Sequence, residues 1–215
     1  MSNTSLAGHI LSLEEAEQIL APYRERLNRC IKHGWDVWKS DYQHKHHILH
    51  ARARAAIVFD EIAYCAMEEF PTIPGEIKAV RTASTFMLYI GDSITLRFKK
   101  IGKNGRCSNV LTRQQVLFRA QIQLNFPSML DGTLVSAGYV LDDLQQNVIR
   151  MSVVCHLDNT VLWEMSLAAD NAAMVEFTPP ASSAPITPQE LQSRFEPKPG
   201  LVPEKPIVKI AGEDK

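Results

Sequence analysis

Apolar residues recur at three- and four-residue spacing from Leu13 through Ala16, Leu20, Tyr23 and Leu27 to Cys30 or Ile31, and the stripe continues toward Trp35 and Trp38. That spacing lines one side of a helix. Ser12-Leu13-Glu14-Glu15 is a capping-box sequence: the Ser12 hydroxyl accepts the amide of the third helical residue and the Glu15 carboxylate reaches back. Pro22 predicts either a kink or a second helix start, and Gly34 is placed to end the stripe. A further helix is predicted from about His46 to Phe70. Ile48, Ala51, Ala55, Val58, Ile62, Ala66 and Phe70 make its apolar face, while Arg52, Asp60, Glu61, Glu68 and Glu69 fall largely outside it. Pro71 stops it.

Beyond the loop from Pro71 to Gly75 the period shortens toward two. Thr85 to Ile90 and Ile94 to Ile101 are β-rich runs joined by Gly91-Asp92-Ser93, which is hairpin chemistry. Ile94, Leu96 and Phe98 then share one face, and Thr95, Arg97 and Lys99 the other. Gly102-Lys103-Asn104-Gly105 reads as a turn. Thr112 followed by Gln115 is a second capping pattern, opening a helix with Val116, Leu117, Ala120, Ile122 and Leu124 ahead of Pro127. Thr133 to Leu141, Val148 to Leu157 and Thr160 to Leu167 read as strands, the last two joined by Asp158-Asn159 in an antiparallel meander. From Thr178 onward prolines interrupt any ladder or helix and apolar residues are sparse. The pattern predicts an α+β fold: N-terminal helices on one face of a mostly antiparallel sheet of about five strands. A single domain covers 1–177 (helical 12–83, sheet-rich 84–170), with a disordered Pro-rich tail over 178–215.

Charge changes this picture. The total of -1 conceals a segregation along the chain. From Ser93 to Leu130 the ionic residues are Arg97, Lys99, Lys100, Lys103, Arg106, Arg113 and Arg119, with no acid among them. From Asp131 to Glu176 they are Asp131, Asp142, Asp143, Asp158, Glu164, Asp170 and Glu176, against Arg150 alone. The basic block is either a docking face for phosphate or one half of an intramolecular pairing with the acidic block. Its seven cations are the candidate binding residues. The near-neutral total argues against nucleic-acid binding by bulk charge and leaves a local patch open. Cys30, Cys65, Cys107 and Cys155 are widely spaced, which suits neither a disulfide framework nor a zinc knuckle, and points to a reducing compartment. The start of the chain lacks the basic and apolar run of a signal peptide, and no stretch reaches membrane-spanning length. A cytoplasmic protein without a membrane partner is expected.

Candidate chemistry is sparse. His44, His46, His47 and His50 are the densest group of potential ligands; on a helix His46 and His50 would project from one side, but no Glu follows His46 as in His-Glu-x-x-His, and solvated histidines are the simpler reading. Asp60 and Glu61 are adjacent, so on a helix their side chains diverge by roughly 100° and cannot act as a close acid/base pair. A restriction-type nuclease needs an acid followed by acid-x-Lys on a neighbouring strand, whereas Asp92 here is followed by Arg97-Phe98-Lys99. Arg26 and His33 match the loose Arg-x(4 to 6)-His spacing of helical ribonuclease toxins. Cys155 and His156 alternate to opposite faces of a strand, there is no Gly-x-Ser-x-Gly elbow, and the Gly102 to Arg106 turn lacks P-loop spacing. Trp35, Trp38 and Trp163 read as core, with Trp163 alternating with Val161 and Met165. No catalytic residue, metal or cofactor is assigned.

At Arg52-Ala53-Arg54 with Asp60, Leu96 to Lys100, Thr112-x-x-Gln115, Ala137 to Asp142 and Trp163, the chain resembles an uncharacterised bacterial family that occurs beside helix-turn-helix and metallopeptidase regulators in mobile or defence loci. The resemblance covers roughly residues 45 to 168 and implies a toxin-like partner in a regulated pair. The functional expectation is an interaction protein contacting a protein partner through 97–119. A nucleic-acid-binding, nuclease-like enzyme and an assembly protein of a mobile element are the alternatives.

Overall fold

The computed structural model of the protein describes residues 10–82, 85–107, 112–122 and 132–168. The predicted tail over 178–215 lies outside them. Helix α1 (Leu13–Leu20) starts at the predicted capping box: Glu15 N donates to Ser12 Oγ at 3.3 Å and Ser12 N to Glu15 Oε2 at 2.8 Å. Pro22 sits in a 3-10 turn, Ala21–Tyr23, and α2 (Arg24–Val37) begins behind it, so the proline opens a second helix.

Gly34 does not end α2. It lies inside the helix, where a Cβ would stand 2.5 Å from Ile62 Cγ1 and 2.8 Å from the Val58 carbonyl oxygen. The missing side chain lets α3 (Ala51–Glu69) lie close against α2. Ion pairs flank this contact, Arg29 with Glu69 at 2.9 Å and His33 with Glu61 at 3.8 Å, and the Arg26 guanidinium stacks 4.5 Å above the Phe70 ring centroid. Helix α3 begins five residues later than the apolar pattern predicts, with His50 as its N-cap.

Six strands follow in sequence order in one sheet: β1 (Ile77–Arg81), β2 (Phe86–Ile90), β3 (Ile94–Ile101), β4 (Thr133–Leu141), β5 (Val148–Leu157) and β6 (Thr160–Ser166). The bounds of β4 and β5 are those the pattern predicts, and β1 is the strand beyond the expected five. All pairings are antiparallel except β3 with β4, which run parallel from Ile94 opposite Thr133 to Ile101 opposite Val140. The long connection 102–132, carrying the short helix α4 (Arg113–Arg119), makes that parallel crossover possible.

One face of the sheet is the apolar core. Leu88, Leu96, Phe98, Ala137, Val153, Cys155, Trp163 and Met165 pack there against Leu20, Leu27, Ile31, Trp35, Ile62 and Phe70 of the N-terminal helices. Trp163 is anchored as well as buried, since its Nε1 donates to the Leu11 carbonyl at 2.9 Å. The predicted alternation of Val161 with Trp163 fails at one point. The β5–β6 register slips at Cys155/His156, so Val161 pairs with His156 and is buried beside Gly105 on the opposite face. The N-terminal helices lie on one face as expected, and α4 adds a layer on the other. Arg97, on the face opposite Leu96 and Phe98, meets Gln115 and Phe118, so α4 covers the second face.

Candidate functional site: the polar second face of the sheet

A sheet face normally packs apolar side chains or meets water. The second face here is mixed and still buried: Ile101, Cys107, Val140 and Val154 form a small apolar cluster, and polar side chains lie beside it. The strand registers set its rows: Lys99, Gly138, Ser152 and Ser166 in one, then Arg97, Ser136, Val154 and Glu164, then Thr95 and Leu134. Arg97, Gln115, Ser136, Ser152, His156 and Glu164 are all buried.

Arg97 is the centre of this layer. It is 7 % exposed. Its Nε donates to Ser136 Oγ at 3.2 Å and its Nη1 to Gln115 Oε1 at 2.8 Å, and its Cζ lies 3.5 Å from the Phe118 ring centroid. These partners are neutral. Among the described residues no carboxylate pairs with Arg97, and Nη2 has no hydrogen-bond partner; nor has Gln115 Nε2, Thr95 Oγ1 or Ser152 Oγ. Glu164, in the same row, is three strands away, about 14 Å at the usual strand spacing. Burial lowers the Arg97 pKa to about 10, with Arg119 adding to the shift and Cys107 opposing it. Lys99 is lowered too, by burial first and then by Arg97 beside it.

The capping pattern at Thr112 explains why Gln115 is available. Gln115 N donates to Thr112 Oγ1 at 3.3 Å, which fixes the start of α4, while the Gln115 side chain turns inward to Arg97. The helix is shorter than its apolar pattern predicts. Ala120 is its C-cap, Gln121 adopts φ 54°, and Leu124 lies outside the described residues.

Gln121 is a residue that the sequence did not single out. Its Nε2 donates to the carbonyls of Leu134 and His156, both at 2.8 Å, and its Oε1 accepts from Leu134 N at 2.8 Å. It therefore ties the end of α4 to β4 and β5. Arg119 adds a second tie, its Nε donating to the Asp158 carbonyl at 3.1 Å and its own carbonyl accepting from Asp158 N at 2.8 Å.

Two further groups complete the layer. His156 Nε2 lies 3.1 Å from the Gly105 carbonyl, and burial holds its pKa down at about 4, with Arg119, Arg97 and Arg106 acting the same way against that hydrogen bond. Glu164 is paired with Arg150 at 2.9 Å, off the line of a hydrogen bond, so both its oxygens have no donor in hydrogen-bond geometry among the described residues.

The seven predicted cations do not form one face. Arg97 is buried, and Lys99 is half-buried on the same side of β3. Lys100 points to the helical side, its Nζ bonding Gln145 Oε1 at 3.2 Å beside Arg54. Lys103 pairs with Asp143 at 2.6 Å, the one ion pair between the basic and acidic blocks among the described residues. Arg106 and Arg113 are exposed and Arg119 is half-buried. Asp142 is occupied with its own turn, accepting from Gln146 N and Asn147 Nδ2, and those bonds, the first above all, hold its carboxyl below the usual range.

The other candidates are dispersed. His46 lies ahead of α3 and bonds the Gln43 carbonyl through Nδ1 at 3.1 Å, so it does not share a helix face with His50; all four histidines are exposed. No group of three or more His, Cys, Asp or Glu gathers in a metal-binding arrangement among the described residues. Asp60 pairs with Arg81 at 3.1 Å and Glu61 with His33, which leaves neither beside Arg97 or Lys99. The Gly102 to Arg106 segment is a turn closed by Gly102 N to the Arg106 carbonyl at 2.8 Å. All four cysteines are free thiols, and Cys107 is buried beside Ser136, Arg97 and Lys99. No described helix is long and apolar enough to cross a membrane.

Fold and site together define an α+β domain with one apolar sheet face and one mixed face that buries polar and charged side chains. Comparison with family models, with characterised proteins and with solved structures finds no match to this chain.

Proposed function

We propose that this chain is an interaction protein that contacts an acidic protein partner through the basic segment 97–119. One observation carries the reading: the fold leaves that segment's charge largely unneutralised. Of its cations only Lys103 meets a carboxylate of the acidic block among the described residues, while Arg106 and Arg113 face solvent at the turn and at the start of α4. Exposed cations without counter-charge favour an external anion and speed its encounter. The resemblance to a bacterial family beside regulator genes supports placing the pair in a toxin–antitoxin-like or defence locus, with assembly of a mobile element as another use of the same surface.

The test is fluorescence anisotropy with a Glu/Asp-rich peptide and with a single-stranded oligonucleotide of equal charge. The peptide should bind at about 0.15 M salt, where charges beyond roughly 8 Å are screened, and Arg106→Gln with Arg113→Gln should weaken it several-fold. Absence of peptide binding at low salt would refute the reading. Preference for the oligonucleotide, with metal-dependent cleavage, would replace it with the nuclease alternative.

A further inference from the structure

We infer that Arg97 and Gln115 form a receptor for a single carboxylate, offered by an Asp or Glu side chain or a chain terminus of that acidic partner. The inference deepens the reading of 97–119 as a contact for an acidic protein, and rests on it.

Two donors carry it. Arg97 Nη2 and Gln115 Nε2 are both buried and without a partner among the described residues, and each shares a carbon with one atom of the same Nη1···Oε1 hydrogen bond. The receptor reading places one oxyanion against both donors. Buried donors are rarely left unmet, and a buried guanidinium is ordinarily matched by an anion. Here the groups that act on Arg97 are the Cys107 thiol and the Arg119 guanidinium, and no carboxylate is among them.

The geometry favours a carboxylate over a phosphate. Phe118 covers one face of the guanidinium, and Nε and Nη1 are engaged, so the Nη2 edge is what remains. A planar monoanion meets that edge in plane and matches the one buried charge. A tetrahedral dianion asks for more donors and more charge than the pair supplies. Admission of the group requires the start of α4 to yield, since its other end is tied to β4 and β5 through Gln121 and Arg119.

Thermal melting of the full chain in sodium acetate, sodium chloride and sodium phosphate at equal ionic strength tests this. In ~50 mM acetate the unmodified protein should melt about 3 °C or more above its value in chloride. Gln115→Glu places a carboxylate against Arg97 from within; it should melt higher than the unmodified protein in chloride and lose the acetate increment. Arg97→Met with Gln115→Leu should lose the increment as well. Arg106→Gln with Arg113→Gln should keep it while losing peptide affinity, which separates failure here from failure of the partner reading. Equal melting in acetate and chloride overturns the proposal, as does an increment that survives in Gln115→Glu. A phosphate increment as large as that of acetate, and likewise lost in Gln115→Glu, overturns the assignment to a carboxylate.

Discussion

Replacing Gln121 by Ala should be among the most damaging changes to a polar residue in this protein. The side chain is 1 % exposed and makes three hydrogen bonds of 2.8 Å, two to carbonyls of β4 and β5 and one from the Leu134 amide. Each neutral bond contributes about 0.5 to 1.5 kcal/mol net, and a buried backbone group stripped of its partner costs about 1 to 3 kcal/mol. With partial rescue by water, the loss should be about 3 to 5 kcal/mol. For a chain of this size that is a fall in Tm of about 6 to 20 °C. The backbone supplies an internal check, because Gln121 sits at φ 54°, where a side chain is strained by about 1 to 2 kcal/mol relative to Gly. Gln121→Gly, which loses the same bonds, should therefore be more stable than Gln121→Ala. Gln114→Ala, exposed on the preceding helix α4, should stay within about 0.5 kcal/mol of the unmodified protein. Denaturant unfolding followed by tryptophan fluorescence measures all three. A loss below about 1 kcal/mol for Gln121→Ala, or a Gly variant weaker than the Ala variant, would refute the reasoning.

Trp163→Ala should cost about 3 to 5 kcal/mol, since it empties a buried site and orphans the Leu11 carbonyl; chemical denaturation should show this at unchanged m-value. Gly34→Ala should destabilise by about 1 to 3 kcal/mol, because the new methyl meets the Val58 backbone as well as Ile62, and a neutral effect in a thermal melt would mean that α2 and α3 can separate freely. His156 titrates near 6.5 when unfolded and at about 4 when folded, so the folded state binds fewer protons in that window. Its share of the stability is present above 6.5 and is lost as pH falls toward 4, up to about 3 kcal/mol, and His156→Gln should flatten that limb of a stability–pH curve.

Much of the fold was legible from period alone. The stripe from Leu13 to Trp38 and the capping box at Ser12 gave α1 and α2, and the β-rich runs over 133–141 and 148–157 gave β4 and β5 to the residue, although β4 is buried on both faces. What was not legible depended on contacts distant in sequence. Strand β1 carries only weak alternation, Ile77 buried and Ala79 and Val80 half-buried, and exists because Ile77 to Arg81 pair with Ile90 to Phe86. Gly34 reads locally as a helix stop, while its role is set by Ile62 nearly thirty residues away. The alternation in β3 placed Arg97 opposite Phe98 correctly, but a charged residue at such a position reads as solvated; only α4, folded over it from beyond the turn, buries it. Gln121 left no signal, since a lone glutamine after a helix is unremarkable until its partners on β4 and β5 are known. The charge segregation marked 97–119 as one basic block without revealing that its seven cations divide between two faces, a turn and a helix.

The most direct test of the segment 97–119 as a partner contact is an NMR titration of the protein carrying 15N-labelled arginine with the Glu/Asp-rich peptide. The guanidinium signals of Arg97, Arg106 and Arg113 should shift along one common saturation curve, with Arg97 unresponsive to chloride at the same ionic strength. Arg97 signals that stay fixed while the peptide binds, or all three signals unmoved at low salt, would contradict the account.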